Sequence, residues 1–524
     1  LLRTMATTTS KRDPYDVVIV GGGWAGLTVA LRLCESPSSS SSSSSPSILL
    51  LEARPRLGGR AFTHTYDRQS LGSSQRSVAP PADMDEAVDF GCSWLHGYNE
   101  GNPVKALCEE LGIPVKLAAD LAGKRTGCIV VGPDGSPLES GLSSKIRGNT
   151  DESMRLAHEE AKGLQDGDER SLADFLLNDK SPLFAGLNSA EERQAAISYA
   201  RMLHVPLGVA LEAVSLRWLG YGEAVAGTDA APEGGFSRVI EALVKRIEKT
   251  GKVEFKTGLE VVGVQEVPQS ETVRIMVKGE GGEDAVEGKT SIMTLPLAVL
   301  QKRLQSASTQ PPLFTPPISA RKQQAIARTQ VGDLNKVLLV YDSVQPWWRD
   351  ADATGTFVVL PKTASSSKTP QAEGQAGDLT SLLESTTLLI SPSVSERTGT
   401  CSLLVMVGAS QGAAAPGQLE SFGRPAVAEA LHARLATALA PQSASSVPQP
   451  VHNFMSRWSG HALTQGATST PVTLGEGRSP LDFVTLGQPE WGKKLLFAGE
   501  HTDVDARGSI TGAVRSGERE ARRI

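Results

Sequence analysis

A glycine-rich segment near the start of the chain has the residue types and the spacing to bind phosphate groups. Gly21, Gly23 and Gly26 follow a short apolar run and precede an amphipathic one. The first glycine permits a tight turn, the second lets the backbone approach a pyrophosphate, and the third lets a helix pack on a strand. The helix N-terminus would add unpaired N–H groups and a positive dipole end. Because glycine runs also form ordinary turns, this segment alone is a weak indication of a dinucleotide site.

An acidic residue after the second apolar run strengthens the dinucleotide interpretation. Glu52 follows the stretch 48–51, where its carboxylate could accept hydrogen bonds from ribose hydroxyls. It lies later than the usual spacing of about 20 residues, and a serine-rich loop over 36–47 accounts for the excess. Glu52 could instead be a surface cap of the strand, but a second segment with glycine and arginine follows it: Ala53, Arg54, Gly59 and Arg60. These residues could enclose the far side of a dinucleotide and contact its phosphates.

A strand–helix–strand unit must position these residues, and the hydrophobic pattern predicts one. Tyr15–Val20 is predicted as a buried strand, Leu27–Cys34 as a helix and Ile48–Leu51 as a second strand. Further helices are predicted over 152–164, 171–177, 190–203 and 236–249. Further strands are predicted over 253–267, 273–277, 291–295, 337–341, 402–407 and 494–498. The order predicts an α/β fold, with a Rossmann-like nucleotide-binding domain built from discontinuous segments and an α+β domain inserted into it.

Composition and charge exclude several classes of function. Lys and Arg number 52 against 58 Asp and Glu, a net charge of −6, which gives no reason to expect nucleic acid and weakly favours cationic small molecules. The five cysteines lack CxxC spacing, so we expect no metal site, no disulfide framework and a reducing compartment. No apolar run reaches the length of about 18 residues that a membrane span needs. We expect a cytoplasmic protein, or a peroxisomal one if the C-terminus is incomplete, and either a monomer or a dimer.

Segments spread over nearly the whole chain resemble the flavin-containing amine oxidase superfamily. They are residues 17–27, 51–54, 58–60, 91–97, 101–103, 294–300, 334–337, 496–502 and 512–517. The segment Gly91-Cys92-Ser93-Trp94-Leu95-His96-Gly97 is similar to that of spermine and acetylpolyamine oxidases. The combination of the N-terminal and C-terminal segments is the specific part of the resemblance, and its motifs are closest to those of the polyamine oxidases.

The resemblance implies an FAD cofactor and oxidation of a small-molecule amine with dioxygen as the acceptor. It implies an FAD-binding domain made of residues 14–104, 233–300 and 456–524. Residues 105–232 and 301–455 would form the substrate-binding domain, with a flexible loop over 362–379. Ala467 stands where monoamine oxidases carry the cysteine that attaches the flavin. We therefore expect the FAD to be bound without a covalent link.

The resemblance also assigns further residues to the cofactor. Gly499 and Glu500 would face its ribityl–pyrophosphate region, and the backbone of Leu259 would meet the adenine. Trp458 would lie along the benzenoid edge of the flavin, although a single tryptophan is more often a core residue. The remaining positions that the resemblance assigns to FAD are Trp24, Ala25, Gly91, Trp94 and Ile510.

Two polar residues are predicted to act in catalysis. In the family, the lysine that corresponds to Lys336 holds a water against the flavin and assists reoxidation or imine hydrolysis. A buried lysine has a lowered pKa that suits this role, whereas a solvated lysine at a strand edge would have none. His96 falls where polyamine oxidases place a polar residue beside the substrate nitrogen, and it could equally be a hydrogen-bonded core histidine. Glu212 and Glu223 are candidates for binding the distal ammonium groups of a polyamine.

Two substrate-pocket positions depart from the family pattern. Many members place the amine between two aromatic rings, and the corresponding residues are Thr468 and Ser509. This weakens the expectation of a small aromatic monoamine, whose recognition depends on such a cage. The substrate is expected to be a polyamine such as spermine, spermidine or an acetylated form.

Three alternatives stay open at the level of the sequence. The first is an oxidase of the same fold for another substrate, such as a monoamine or an L-amino acid. The second is a chromatin module of the histone demethylase type, although no long, charged, heptad-like insertion is visible. The third is a flavoprotein without oxidase activity, against which Lys336 argues.

Overall fold

The computed structural model describes residues 13–36, 46–66, 86–118, 128–221, 227–306, 311–348, 355–362, 378–395, 398–408 and 417–524. Most of the two predicted loops, 36–47 and 362–379, therefore lies outside the described residues, and so does Glu223.

The described strands are numbered here in chain order. They are β1 (Tyr15–Val20), β2 (Ile48–Leu51), β3 (Thr63–Tyr66), β4 (Glu86–Asp89), β5 (Leu95–Tyr98), β6 (Val115–Leu117), β7 (Cys128–Val131), β8 (Thr228–Pro232), β9 (Val253–Lys256), β10 (Glu260–Val267), β11 (Thr272–Gly279), β12 (Gly282–Met293), β13 (Phe314–Thr315), β14 (Val331–Gly332), β15 (Leu334–Tyr341), β16 (Thr356–Val359), β17 (Leu388–Ser395), β18 (Thr400–Gly408), β19 (His452–Met455), β20 (Thr468–Ser469) and β21 (Leu495–Phe497).

The described α-helices lie between these strands and at the C-terminal end. They are Trp24–Glu35, Pro103–Glu110, Ser140–Gly163, Leu172–Leu176, Ala190–Ala200, His204–Leu207, Phe236–Glu248, Leu297–Gln305, Ala320–Arg328, Leu379–Glu384, Gln418–Ser421, Arg424–Leu439, Leu481–Leu486 and Ile510–Ala521.

An eight-stranded sheet brings the two ends of the chain together. Its order is β13-β10-β11-β12-β1-β2-β9, with β21 paired to β12. Strand β1 is parallel to β2 and β12, and Val17 to Val20 are at most 2% exposed. A parallel sheet is covered on both faces, so its strands read as continuous apolar runs. The helices Trp24–Glu35, Phe236–Glu248 and Ile510–Ala521 contribute to one of the covering cores.

The register of this sheet aligns three strand ends at one edge. Val20 lies opposite Met293, and Met293 lies opposite Phe497. The segments that follow them, beginning at Gly21, Thr294 and Ala498, therefore start side by side. Ligands of open α/β sheets bind beyond the carboxyl ends of the strands, so this edge is where a nucleotide would be expected.

A second sheet, of six strands, belongs to a separate core. Its order is β19-β15-β18-β17-β16-β7, and the helix Arg424–Leu439 packs against it. In strand β15, residues Asn335 to Tyr341 are all buried. Its antiparallel pairing with β18 places Lys336 opposite Met406. All six strands come from the segments predicted for the substrate-binding domain, whereas β13 of those segments joins the large sheet. The domain boundaries themselves stay a prediction.

The predicted α/β class is confirmed, and several element boundaries differ from the predictions. The first helix begins at Trp24, directly after Gly23 as N-cap. The run 253–267 is two strands, because Gly258 adopts φ +71° in the turn between them. The helix predicted from residue 152 begins at Ser140, where the side chain of Glu139 caps it. The first part of this helix is mostly polar, so the spacing of apolar residues does not predict it.

Candidate active site

A cavity of about 870 Å³ opens at the edge where the three strands of the large sheet end. Every residue that the sequence assigned to the cofactor, to catalysis or to the two cage positions lines it, except Gly26. The lining residues that were predicted from the sequence are Gly21, Gly23, Trp24, Ala25, Glu52, Ala53, Arg54, Gly59, Arg60, Gly91, Trp94, His96, Leu259, Lys336, Trp458, Thr468, Gly499, Glu500, Ser509 and Ile510. The structure thus brings residues from both ends and from the middle of the chain to one space, while their individual roles stay predictions.

The glycine-rich segment forms a backbone cradle at this cavity. Gly21 adopts φ +110°, which favours glycine, and Gly23 is the N-cap of the helix Trp24–Glu35. No side chain caps that helix, so its first N–H groups stay available on the cavity side. Gly26 has a packing role instead, because a Cβ there would lie 2.0 Å from the carbonyl oxygen of Gly21.

Glu52 is fixed in place by backbone amides. Its Oε2 accepts a hydrogen bond from the N–H of Gly22 at 2.7 Å, and its Oε1 accepts one from the N–H of Arg54 at 2.9 Å. The carbonyl oxygen of Glu52 accepts a hydrogen bond from the N–H of Leu259 at 3.0 Å. A carboxylate has about four lone-pair sites, so two stay available to a ligand hydroxyl. These bonds hold the acidic residue and the turn that carries Leu259 at the same wall of the cavity.

Arg54 and Arg60 supply positive charge to the same region. The Nη1 of Arg54 donates to the carbonyl oxygen of Gly59 at 3.1 Å, and its buried Nε has no hydrogen-bond partner among the described residues. Burial lowers the pKa of Arg54, although a guanidinium stays protonated at physiological pH. A buried donor without a partner is costly, so this nitrogen points to an anionic ligand.

Glu500 joins three segments of the cavity wall. Its Oε1 lies 2.9 Å from Nη2 of Arg60, and its Oε2 accepts hydrogen bonds from the hydroxyl of Ser469 and from the N–H of Gly508. Burial alone would raise the pKa of Glu500, but the positive charge of Arg60 leads a set of interactions that hold it below its usual value. Glu500 therefore stays ionised and positions the segments that carry Thr468 and Ser509.

Lys336 is buried at the wall of the cavity, with 4% exposure. Its Nζ donates to the carbonyl oxygens of Asp89 at 3.1 Å and Gly91 at 2.7 Å, and to the hydroxyl of Ser93. Burial lowers the pKa of Lys336 to about 8. The alternative of a solvated lysine at a strand edge is wrong for this position. A buried amine that titrates near physiological pH can hold or release a proton in the cavity.

Apolar side chains form another part of the cavity wall. They are Met202, Val205, Pro206, Leu219, Leu334, Leu389 and Met406. Strand pairing places Met406 beside both Lys336 and Leu389. A wall of this kind favours the neutral form of a substrate amine, because an unpaired charge is expensive to desolvate.

The sequence profile of the family described as flavin containing amine oxidoreductase matches residues 24–524. The chain belongs to this family. It is 26% identical over 537 residues to the peroxisomal N(1)-acetyl-spermine/spermidine oxidase of Homo sapiens, covering 97% of this chain and 94% of that protein. It is 24% identical to lysine-specific histone demethylase 1 homolog 1 of Oryza sativa subsp. japonica and to homolog 2 of Arabidopsis thaliana, covering 98% and 97% of this chain. The chain spans 52% and 58% of the length of these two demethylases.

The cofactor of this flavin amine oxidoreductase is FAD, and the residues present fit it. The uncapped helix N-terminus and the unpartnered Nε of Arg54 suit a pyrophosphate, and the carboxylate of Glu52 suits a ribose. Trp458 is 7% exposed, and its Nε1 donates to the carbonyl oxygen of Phe90 at 3.0 Å, so it is both a core residue and a cavity wall. Ala467 lines the cavity at the position of the attaching cysteine, and non-covalent binding stays a prediction.

The structure places two of the predicted polar residues at exposed positions. The side chain of His96 is 57% exposed, and its Nδ1 lies 3.1 Å from a carboxylate oxygen of Asp229. His96 therefore lies at the rim of the cavity rather than in a core. Glu212 forms an ion pair with Arg201 at 2.8 Å and is not among the residues that line the cavity. It is therefore a poor candidate for an ammonium site, because its charge is already engaged by a guanidinium.

Several residues of the cavity were missed by the sequence reasoning. Ser93 belongs to the segment 91–97, and its position two residues before the buried Leu95 could have indicated it, since residues two apart in an extended segment share a face. Met406 carries no motif, and only strand pairing places it beside Lys336. Asp505 and Arg507 also line the cavity, and the resemblance gives neither of them an assignment.

No helix among the described residues is long and apolar enough to span a membrane.

Proposed function

We propose that this protein oxidises a polyamine, such as spermine, spermidine or an acetylated form, at a carbon next to a nitrogen. The carbon–nitrogen bond loses two electrons and two protons to become an imine, which water hydrolyses to an aldehyde and an amine. Dioxygen takes up the two electrons and two protons and becomes hydrogen peroxide. The observation that carries this proposal is one continuous cavity that joins the dinucleotide cradle to an apolar wall beside Lys336.

Each part of the cavity has a task in this reaction. FAD, when bound, supplies the acceptor for the hydride equivalent. The wall formed by Met202, Val205 and Met406 excludes water and favours a neutral amine at the reacting position. Lys336 holds a proton near that position, since its Nζ is buried and bound by three oxygen atoms. The exposed pair of His96 and Asp229 at the rim is placed to meet a cationic amine before it enters.

Small residues at both positions of the usual aromatic cage support a long substrate over an aryl monoamine. The hydroxyl of Thr468 donates to the carbonyl oxygen of Gly508 at 3.0 Å, and the hydroxyl of Ser509 donates to the carbonyl oxygen of Ala506 at 2.6 Å. Both hydroxyls are thus engaged with the backbone and leave space in the cavity. A flexible amine chain needs space, whereas an aromatic ring needs facing rings.

A second candidate is the oxidation of an N-methylated lysine side chain in a peptide. Two relatives are named as lysine-specific histone demethylases, and the match covers nearly all of this chain. The reaction would use the same cavity and the same chemistry at a carbon next to nitrogen. A peptide substrate distinguishes this candidate from the first.

Anaerobic reduction of the bound flavin tests the proposal. The purified protein should be yellow and should release FAD on acid precipitation. Spermine, spermidine and their acetylated forms should bleach the flavin faster than benzylamine, an L-amino acid or a dimethyl-lysine peptide. Rapid bleaching by the peptide alone would favour the second candidate, and absence of bleaching by every polyamine would exclude the first.

A further inference from the structure

Asp89 is one of the residues whose backbone holds the side chain of Lys336. The carbonyl oxygen of Asp89 accepts a hydrogen bond from Nζ of Lys336 at 3.1 Å and another from the hydroxyl of Ser93 at 3.2 Å. The carboxylate of Asp89 therefore lies within the length of one residue of that contact. Asp89 itself is not among the residues that line the cavity, so it can act on the reaction only through its neighbours.

The carboxylate of Asp89 is fixed at the start of the helix Phe236–Glu248. Its Oδ1 accepts hydrogen bonds from the hydroxyl of Thr63 at 2.6 Å and from the N–H of Phe236 at 3.0 Å. The hydroxyl of Thr63 in turn accepts a hydrogen bond from the N–H of Ser237 at 2.9 Å. The positive end of the helix dipole also favours a negative charge at this position. Burial raises the pKa of Asp89, and these hydrogen bonds oppose that rise, so the carboxylate stays ionised near neutral pH.

Asp89 is the anion that acts on the ammonium group of Lys336. Cys92 lies in the same segment, but burial raises the pKa of its thiol, which therefore stays neutral. Within the second sheet, Lys336 lies opposite Met406 and its backbone binds Ser456, and neither of these neighbours carries a charge. No other carboxylate in the described part of the chain shifts the pKa of Lys336.

We propose that Asp89 is a positioning residue that keeps Lys336 protonated over the pH range in which the protein reacts with dioxygen. The negative charge of Asp89 favours the ammonium form of Lys336, whereas burial alone disfavours it. The ammonium form stabilises the negative charge that develops on dioxygen. This inference rests on the role of Lys336 in the proposed function and deepens it, because it adds the residue that sets the protonation of that lysine.

Removal of this charge should move the pH dependence of the protein to lower pH. Burial lowers the pKa of Lys336 to about 8, and Asp89 opposes that fall. An opposite charge within about 4 to 6 Å changes a pKa by about 1 to 3 pH units. We therefore expect a displacement of about one pH unit when the charge of Asp89 is lost. At pH 8 the protonated fraction of Lys336 would then fall from about one half to about one tenth.

The test follows the reaction with dioxygen without using an amine substrate. The protein with its FAD is reduced anaerobically by a stoichiometric amount of dithionite and mixed with dioxygen in a stopped-flow instrument at a series of pH values. The rate of the unmodified protein should fall with a midpoint near pH 8. In Asp89→Asn the midpoint should lie about one pH unit lower, and the rate at pH 8 should be about fivefold smaller.

The amide in Asp89→Asn removes the charge and keeps the contacts. Its oxygen can accept the hydrogen bonds from Thr63 and Phe236, and Oδ2 of Asp89 makes no hydrogen bond with a residue that the structure describes. Asn also caps helices about as well as Asp does. Asp89→Ser is a second neutral variant that can still cap the helix, and it gives the same readout if Asp89→Asn does not fold.

The free energy of unfolding provides a second measurement that needs no turnover. In the unmodified protein it should rise with pH between about 8 and the usual lysine pKa of 10.5, because the unfolded chain keeps a proton that folded Lys336 has lost. In Asp89→Asn this rise should begin about one pH unit lower. Urea unfolding at a series of pH values measures both curves.

Thr63→Val is the matched control, because it disturbs the same contacts and leaves the charge of Asp89 in place. It should lower stability and leave the midpoint of the reoxidation rate unchanged. An unchanged midpoint in Asp89→Asn would overturn the inference. An equal displacement in Thr63→Val would also overturn it, since the contacts rather than the charge would then set the midpoint.

These outcomes are separate from those that test the substrate. Because dithionite reduces the flavin, the midpoint can be measured whether or not a polyamine is oxidised. Failure of every polyamine to bleach the flavin would remove the proposed substrate and leave the role of Asp89 standing. A reoxidation rate of the unmodified protein that does not depend on pH would remove the role of Lys336 and the inference with it.

Discussion

Replacement of Lys336 by methionine should slow the reaction with dioxygen without removing the flavin. The buried Nζ donates hydrogen bonds to oxygen atoms of Asp89, Gly91 and Ser93, and Lys336 lines the same cavity as the residues predicted to bind the flavin. Negative charge develops on dioxygen as it is reduced, and a nearby cation stabilises that charge. Methionine keeps the length and the apolar stem of the side chain but has no charge.

The size and the pH dependence of the effect follow from the surroundings of Lys336. Loss of one electrostatic donor in a dry site costs about 10²- to 10³-fold in rate. Since burial lowers the pKa of Lys336 to about 8, the rate of the unmodified protein should fall as the pH rises through about 8. The variant should be slow at every pH and should show no such step.

The same pKa shift predicts a change in stability. Between about pH 8 and the usual lysine pKa of 10.5, the unfolded chain binds the proton that the folded chain has lost. The free energy of unfolding therefore rises with pH across this window. Below it, the unmodified protein carries the full cost of a buried charge, about 3 kcal/mol. Lys336→Met removes this dependence, although it leaves oxygen atoms without their donor.

Stopped-flow reoxidation of the anaerobically reduced protein measures the effect directly. Lys322→Met is the matched control, because Lys322 is also buried, with 1% exposure, and its Nζ donates to three carbonyl oxygens near the end of the helix Leu481–Leu486. It does not line the cavity. The control should lower stability and leave reoxidation unchanged. Reoxidation of Lys336→Met within about twofold of the unmodified protein, or a rate independent of pH around 8, would refute this role.

Three further predictions concern the cofactor site and the core. Gly91→Ala should lower both flavin content and thermal stability, since its Cβ would lie 1.7 Å from the carbonyl oxygen of Arg60; flavin absorbance and a thermal melt measure both. Arg60→Gln should destabilise the protein by about 3 kcal/mol in urea unfolding, because it leaves the buried Glu500 without its cation. Arg155→Gln, which breaks an exposed ion pair with Glu152, should lower stability much less, because solvent screens that pair. Burial lowers the pKa of His64 to about 4, so between about pH 6.5 and about pH 4 the unfolded chain binds a proton that the folded chain does not, and the free energy of unfolding falls as the pH falls. His64→Phe should reduce this fall, and urea titrations across the range test it.

Much of the cofactor half could be predicted from sequence because its signals are local. Val17 to Val20 of the first strand are buried on both faces, and the glycines after them form the turn into a helix. Those features involve neighbours in the chain, so residue type and spacing are enough to predict them. The boundaries at Ser140 and in the run 253–267 were not predicted, because neither a polar helix start nor a glycine turn changes the spacing of apolar residues on which the predictions depend.

The sequence by itself determined the family, the cofactor class and many of the residues that line the cavity. Tertiary structure alone decided how they meet, because strand register aligns Val20, Met293 and Phe497 at one edge. It also decided that Lys336 is buried and that His96 lies at the rim, since exposure depends on segments distant in sequence. The facing of Asp505 and Arg507 into the cavity follows from the fold of a loop for which the sequence carries no pattern.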